Sequence, residues 1–171
     1  MQRRFFQYMC LIIGLVGLSG FSEVQSEIKA VNGRNLSDQI HIVATVSEND
    51  ISEGKQITIE YRMYVSQDIG ISNWTMLVEP KYEGFELEVA EQEGLKVEMA
   101  KFNGETYRMV VLKTDTLLSK RPGLYILEPL QLSVTVEIPD VDANKKEDVL
   151  GIQMKQMTST FISNTLKINV I

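Results

Sequence analysis

The feature that most constrains this chain is the spacing of its apolar residues, which recur at every second position through almost the whole length. Ile40, Ile42, Ala44 and Val46 share one face of a candidate strand, and His41, Val43 and Thr45 share the other. The next run is cleaner: Ile57, Ile59, Tyr61, Met63 and Val65 alternate with Thr58, Glu60, Arg62 and Tyr64. Side chains of successive strand residues point to opposite faces, so this pattern belongs to a strand with one face on a core and one in water. Further runs follow. Trp74, Met76 and Val78 form one, Phe85, Leu87 and Val89 a second, and Leu95, Val97 and Met99 a third. Tyr107, Met109 and Val111 oppose Val110 and Leu112, which predicts a strand covered on both faces. Leu124 to Leu127 comes next, then Leu130, Leu132, Val134, Val136 and Ile138, and finally Leu166, Ile168 and Val170. No stretch carries a capped helical stripe.

Turn chemistry falls where these strands must reverse. Asn103-Gly104 separates the 95–101 and 106–112 runs, and both residues tolerate the positive φ that a two-residue hairpin turn demands. Glu53-Gly54, Glu83-Gly84, Glu93-Gly94 and Pro122-Gly123 punctuate other boundaries, while Pro80, Pro129 and Pro139 suit strand ends or edges. Many short strands, with turns and no intervening helices, predict a two-layer antiparallel β-sandwich and exclude parallel α/β architecture. The polar stretch 139–151 reads as a long loop and 27–38 as a flexible lead-in. Residues 39–171 are then one domain, without internal repeats.

The first residues speak to compartment. Arg3 and Arg4 precede an apolar run from Met9 to Leu18 of about ten residues, too short for a bilayer core of about 30 Å. This predicts a signal peptide over 1–26, cut before Glu27, or earlier after Ser19, with export to the periplasm or beyond and no transmembrane segment in the mature chain; the alternative is an uncleaved anchor. Cys10 stands at the front of the run behind Tyr8 and Met9, where a lipid-modified cysteine would not be placed. Subtracting Arg3, Arg4, Glu23 and Cys10 from 17 basic, 23 acidic and one cysteine residue leaves a mature chain with 15 basic, 22 acidic and none. A chain of that length buries enough apolar surface to fold without staples. Lacking cysteine, it has no disulfide, thiol nucleophile, thiolate zinc site or iron–sulfur cluster. Its acidity excludes the phosphate neutralisation on which nucleic-acid binding depends.

Chemical candidates are few. His41 is the single histidine, so any Ser/His/acid triad would be built on it, yet it lies on the polar face of its strand and reads as a solvated residue. A transition-metal site would have only carboxylates beside that imidazole. Asp140, Asp142 and Asn144 match the opening of an EF-hand calcium loop. The sixth position is Lys145 where Gly is needed, and the twelfth is Gly151 where a bidentate Glu is needed. Glu86 and Glu88 share one strand face, as any two acids spaced by two would, and predict no glycosidase pair. Trp74, the lone tryptophan, is in register with Met76 and Val78 and is expected to plug the core. Were it outward, it could stack on a sugar together with Tyr82 or Tyr64. Asn35-Leu36-Ser37 and Asn73-Trp74-Thr75 fit a glycosylation triplet that matters only in a eukaryotic source. The six mature methionines look like core filler. No catalytic, cofactor-binding or metal residue is assigned.

Several of these elements occur together, in order, in a known pattern. Val43-Ala44-Thr45-Val46-Ser47, then Ile51-Ser52-Glu53-Gly54, then Ile57 through Tyr64 resemble two strands flanking a short glycine turn. Gly84-Phe85 follows the third strand, and Asn103-Gly104 with Tyr107 forms the hairpin. Leu117-Leu118, Pro122 through Pro129, and Leu130, Leu132, Val134 and Val136 come next, and Ser163-Asn164 with Leu166, Ile168 and Val170 closes the set. From Ile40 to Ile171 the chain resembles one extracytoplasmic domain of the BatD family, the bacterial aerotolerance or oxygen tolerance proteins. The resemblance implies an immunoglobulin-like fold, no enzymatic activity, no cofactor, and a cell-envelope system whose other members are von Willebrand factor A-type membrane proteins and a MoxR-type ATPase. The expectation is therefore a non-catalytic exported protein-interaction module. The alternative is a glycan-binding sandwich.

Overall fold

The computed structural model describes residues 30–31, 34–91, 96–140 and 152–171. Its elements in chain order begin with β1 (Ala30–Val31), β2 (Arg34–Asn35) and a 3-10 turn (Leu36–Asp38). They continue with β3 (Ile40–Val46), β4 (Asp50–Ile51), β5 (Gln56–Val65), β6 (Gly70–Val78), β7 (Phe85–Glu91) and β8 (Val97–Phe102). After the β8 hairpin come β9 (Glu105–Ser119), β10 (Gly123–Leu127), β11 (Gln131–Pro139), β12 (Met154–Ile162) and β13 (Leu166–Val170). The chain is an all-β, immunoglobulin-like antiparallel sandwich. One layer is the sheet β3-β5-β9-β7, with β8 also paired to β9. The sheets β12-β11-β6 and β10-β13-β4 lie across the core from it, joined to each other through the β10–β11 and β12–β13 corners; among the described residues only the β4–β13 pair is parallel.

The alternation places the core. Ile40, Ile42 and Ala44 of β3, and Ile57, Ile59, Tyr61, Met63 and Val65 of β5, are buried on the inner face. Leu132, Val134, Val136 and Ile138 of β11 and Leu166, Ile168 and Val170 of β13 meet them in one cluster. Each fully covered aliphatic side chain contributes about 1.5–3 kcal/mol, which is why these few strands hold the layers together.

Three differences from the sequence reading have physical causes. The run read as 106–112 extends to Ser119, and a bulge opposite Tyr61/Arg62 shifts its phase at Leu112. Before the bulge Tyr107 on the outer face and Val110 and Leu112 on the inner face are all buried, as a strand covered on both faces predicts, and beyond it the polar Lys113 and Asp115 turn inward. Strand β12 was not expected at all, because its inner positions are Lys155, Met157, Ser159 and Phe161, only two of them apolar. Thirdly, the segment read as a lead-in is structured at its end: Arg34–Asn35 pairs with Ala30–Val31, and Leu36 is buried in the core. Of the stretch read as a loop, 141–151 lies outside the described residues, as does the signal peptide expected over 1–26.

The chain changes sheet at Ser163-Asn164, and both side chains act as backbone substitutes. Ser163 accepts from the Leu130 N–H at 3.0 Å and donates to the Asn164 carbonyl at 3.0 Å. The Asn164 amide accepts from Ala44 N–H at 2.8 Å and donates to Ala44 O at 3.0 Å, pairing with the outer edge of β3 as a strand residue would. The edge is thereby blunted at that point.

Candidate interaction site at the open side of the sandwich

The two layers differ in width. Across β5, β9 and β8 the register aligns Met63, Val110 and Val97 on one rung and Val65, Arg108 and Met99 on the next. Paired residues share a face, so both rungs point toward the opposite layer. Exposure climbs along the first, from 3% at Met63 through 8% at Val110 to 59% at Val97; on the second, Met99 is 57% exposed. Opposite them the layer ends at β6, which pairs with β11 and with no other strand among the described residues. Sheet one thus overhangs β6 by a strand, leaving a cleft of about 410 Å³ between them.

Ile71 and Trp74 from β6, Met63, Val65 and Val110 from below, and Val97 at the rim make the cleft walls apolar. Trp74 is half-buried against the core on one side and borders the cleft on the other, so it is only partly the plug expected of it. Arg108 provides the one cationic wall. Its guanidinium donates to Ser66 O at 2.9 Å and to Ile69 O, tying down the β5–β6 turn, while its buried Nε has no hydrogen-bond partner.

The other residues singled out from the sequence lie elsewhere. His41 is half-buried, with its ring 4.9 Å from Phe102 and 5.4 Å from Tyr107, and Nε2 lies 3.4 Å from the Tyr107 hydroxyl. It was expected to be solvated; the β8–β9 hairpin instead folds Phe102 and Tyr107 over the outer face at His41 and Tyr64. Glu86 and Glu88 are exposed, engaging Lys120 at 3.1 Å and Gln56 respectively. Asp142 and Asn144 fall outside the described residues, and Asp140 lies 3.8 Å from Lys155. Among the described residues no group of three or more His, Cys, Asp or Glu side chains is placed to hold a metal. No helix there is long and apolar enough to cross a membrane.

Of the aromatic residues that glycan stacking would call upon, Trp74 borders the cleft, while Tyr64 and Tyr82 are engaged inside the protein. Tyr64 is buried beneath Phe102, with centroids 4.8 Å apart. Tyr82 donates to Asp115 and lies 3.4 Å from the Tyr61 hydroxyl. This internal network had no signal in the sequence. Asp115 is fully buried, pairs with Lys113 at 3.1 Å and keeps Oδ1 without a partner. Burial pushes the Tyr61 phenol up to about 12, and burial with the Asp115 hydrogen bond raises that of Tyr82 as well. The network anchors the β6–β7 loop to β9.

No family model and no curated protein matches the chain. Among solved structures, a cohesin module from a Clostridium perfringens family 33 glycoside hydrolase is similar, at 15% identity and a TM-score of 0.34, covering 77% of this chain and 98% of that one.

Proposed function

We propose that this chain is an exported, non-catalytic β-sandwich module that recognises protein partners at its exposed sheet edge. The observation that carries the reading is the uncovered apolar strip of Val97 and Met99 beside the edge of β6 that no strand among the described residues pairs. An open strand edge with apolar surface next to it is a liability in a lone soluble domain and an asset in one that binds. The BatD-like order of motifs supports a place in a cell-envelope system, outside the cytoplasmic membrane, with von Willebrand factor A-type membrane proteins as partners and a MoxR-type ATPase as a further member. The N-terminal Arg3-Arg4 and apolar run support export.

The test is cross-linking capture from envelope extract with the full chain carrying a photoreactive residue at Val97. Recovery of an A-domain membrane protein, lost when the photoreactive residue sits at Glu48 instead, is the expected result. Capture of no protein, or equal capture from both positions, would remove the reading.

A further inference from the structure

The shape of the open side says what kind of polypeptide fits it, an inference that rests on the protein-binding reading. We propose that the slot beside β6 accepts a single extended segment of a partner polypeptide, which adds to β6 as a fourth strand and lays alternate apolar side chains over Val97, Val110 and Met99.

Three observations converge. Strands in a sheet lie about 4.8 Å apart and packed sheets about 10 Å apart. A strand hydrogen-bonded to the outer edge of β6 would therefore lie in the second layer, above the rungs that β9 and β8 leave uncovered. Only an extended backbone can satisfy the edge of β6 and cover the apolar floor together. The overhang then decides against a second copy of this chain. A copy pairing edge to edge through its own β6 brings its own projecting β8 into the same space, whereas a tail or linker one strand wide meets no obstacle. Finally, charge sets the direction of the pattern. The second rung holds Arg108, with its unpartnered Nε, and Lys101 follows Met99 on the same face of β8. On a chain with net charge −6 these two cations stand at one end of the slot, with Asp68 in the turn that Arg108 ties down. The segment therefore carries a carboxylate in phase with its apolar residues, just beyond them.

The experiment uses a fluorescein-labelled peptide, Lys-Val-Thr-Val-Thr-Val-Thr-Asp-Thr, titrated into the full chain by anisotropy, with Trp74 emission as a second readout. A composition-matched scramble is the first control. Two N-methylated versions follow, one blocked at the valine positions and the other at the threonine positions. Binding by the alternating peptide, with one N-methylated version weakened about tenfold or more and the other unaffected, is expected from single-edge pairing. Val97→Lys, at an exposed position that leaves the core alone, is expected to weaken binding about tenfold. Equal binding of the scramble, equal tolerance of both N-methylated versions, or indifference to Val97→Lys would overturn the proposal. So would sedimentation of the full chain as a dimer that Val97→Lys dissociates. Peptide binding that fails while envelope capture at Val97 succeeds removes strand addition and leaves the interaction reading. Peptide binding without capture supports strand addition and removes the envelope partner.

Discussion

Replacing Gly84 with alanine separates backbone strain from crowding, because two other glycines serve as controls. Gly54, Gly84 and Gly104 all have positive φ, at +75°, +83° and +86°. A Cβ on Gly54 or Gly104 would meet nothing within 4 Å; on Gly84 it would fall 2.0 Å from Cε1 of Tyr125 and 2.4 Å from Cζ. The dihedral term costs about 1–2 kcal/mol, partly offset by about 0.4–1 kcal/mol from stiffening the unfolded chain. Gly54→Ala should therefore cost about 1 kcal/mol. For Gly84→Ala the Tyr125 ring must retreat to an ordinary contact of about 3.5–4 Å. That forfeits its edge-to-face contact with Phe85, at 5.2 Å and worth about 0.5–1.5 kcal/mol. The overpacking itself adds about 1–3 kcal/mol. The excess over the Gly54 control is then about 2–4 kcal/mol. Urea unfolding followed by circular dichroism and Trp74 emission measures it. In a Tyr125→Ala background, Gly84→Ala should fall back to the Gly54 value. Equal losses at Gly54 and Gly84 in the otherwise unaltered protein, or an undiminished loss without the Tyr125 ring, would refute the reasoning.

Other expectations follow from the buried network and the corner. Asp115→Leu strands the buried Lys113 charge and should cost about 3–5 kcal/mol; adding Lys113→Met should recover part of that loss in the same unfolding assay. Because the folded pKa of Tyr61 is raised to about 12 from an ordinary value of 10.0, its neutral form favours the fold. That contribution is intact below pH 10 and is lost as pH rises toward 12. Tyrosinate absorbance should therefore lag in the folded protein, and Tyr61→Phe should flatten the alkaline fall in stability. Asn164→Ala removes both bonds to Ala44 and should cost about 1–3 kcal/mol, with β3 amides around Ala44 exchanging faster by nuclear magnetic resonance.

Much of the fold is written in the period of the apolar residues. The alternation places Ile57 to Val65 and Ile40 to Val46 on the correct faces, and Asn103-Gly104 turns with φ of +49° and +86° where the pattern asks for a hairpin. The failures are equally local. Asp115 and Lys113 are buried as an ion pair, so the second half of β9 lacks the apolar rhythm that marks a strand. Strand β12 shows its β character in Thr158, Thr160, Phe161 and Ile162, but half-buried lysine and serine on the inner side blur the alternation. In Leu124 to Leu127 four apolar residues in a row hide the phase, which the structure resolves by burying Leu127 and exposing Leu124 and Ile126.

The candidate site was legible in part. Val97 and Met99 read as inward-facing, and they are in phase with the core. A period tells which face a residue occupies, not whether a strand lies over it, and that depends on how the second layer divides into sheets. Arg108 carried no signal, because its role comes from the carbonyls of Ser66 and Ile69 that the β5–β6 turn brings to it. The Ser163-Asn164 pair, noticed as part of a family pattern, has a mechanical reason in the backbone groups of Leu130 and Ala44.

Amide hydrogen exchange on the full chain, read strand by strand, tests the unequal width of the two layers most directly. Along β6 the amides turned away from β11 should exchange rapidly and those bonded to β11 slowly, with the alternation broken at its two bulges, while the stretches of β5, β9 and β11 paired on both sides are protected. Slow exchange at every amide of β6, matching β11, would mean that its outer edge is already paired and that the sandwich has no open side.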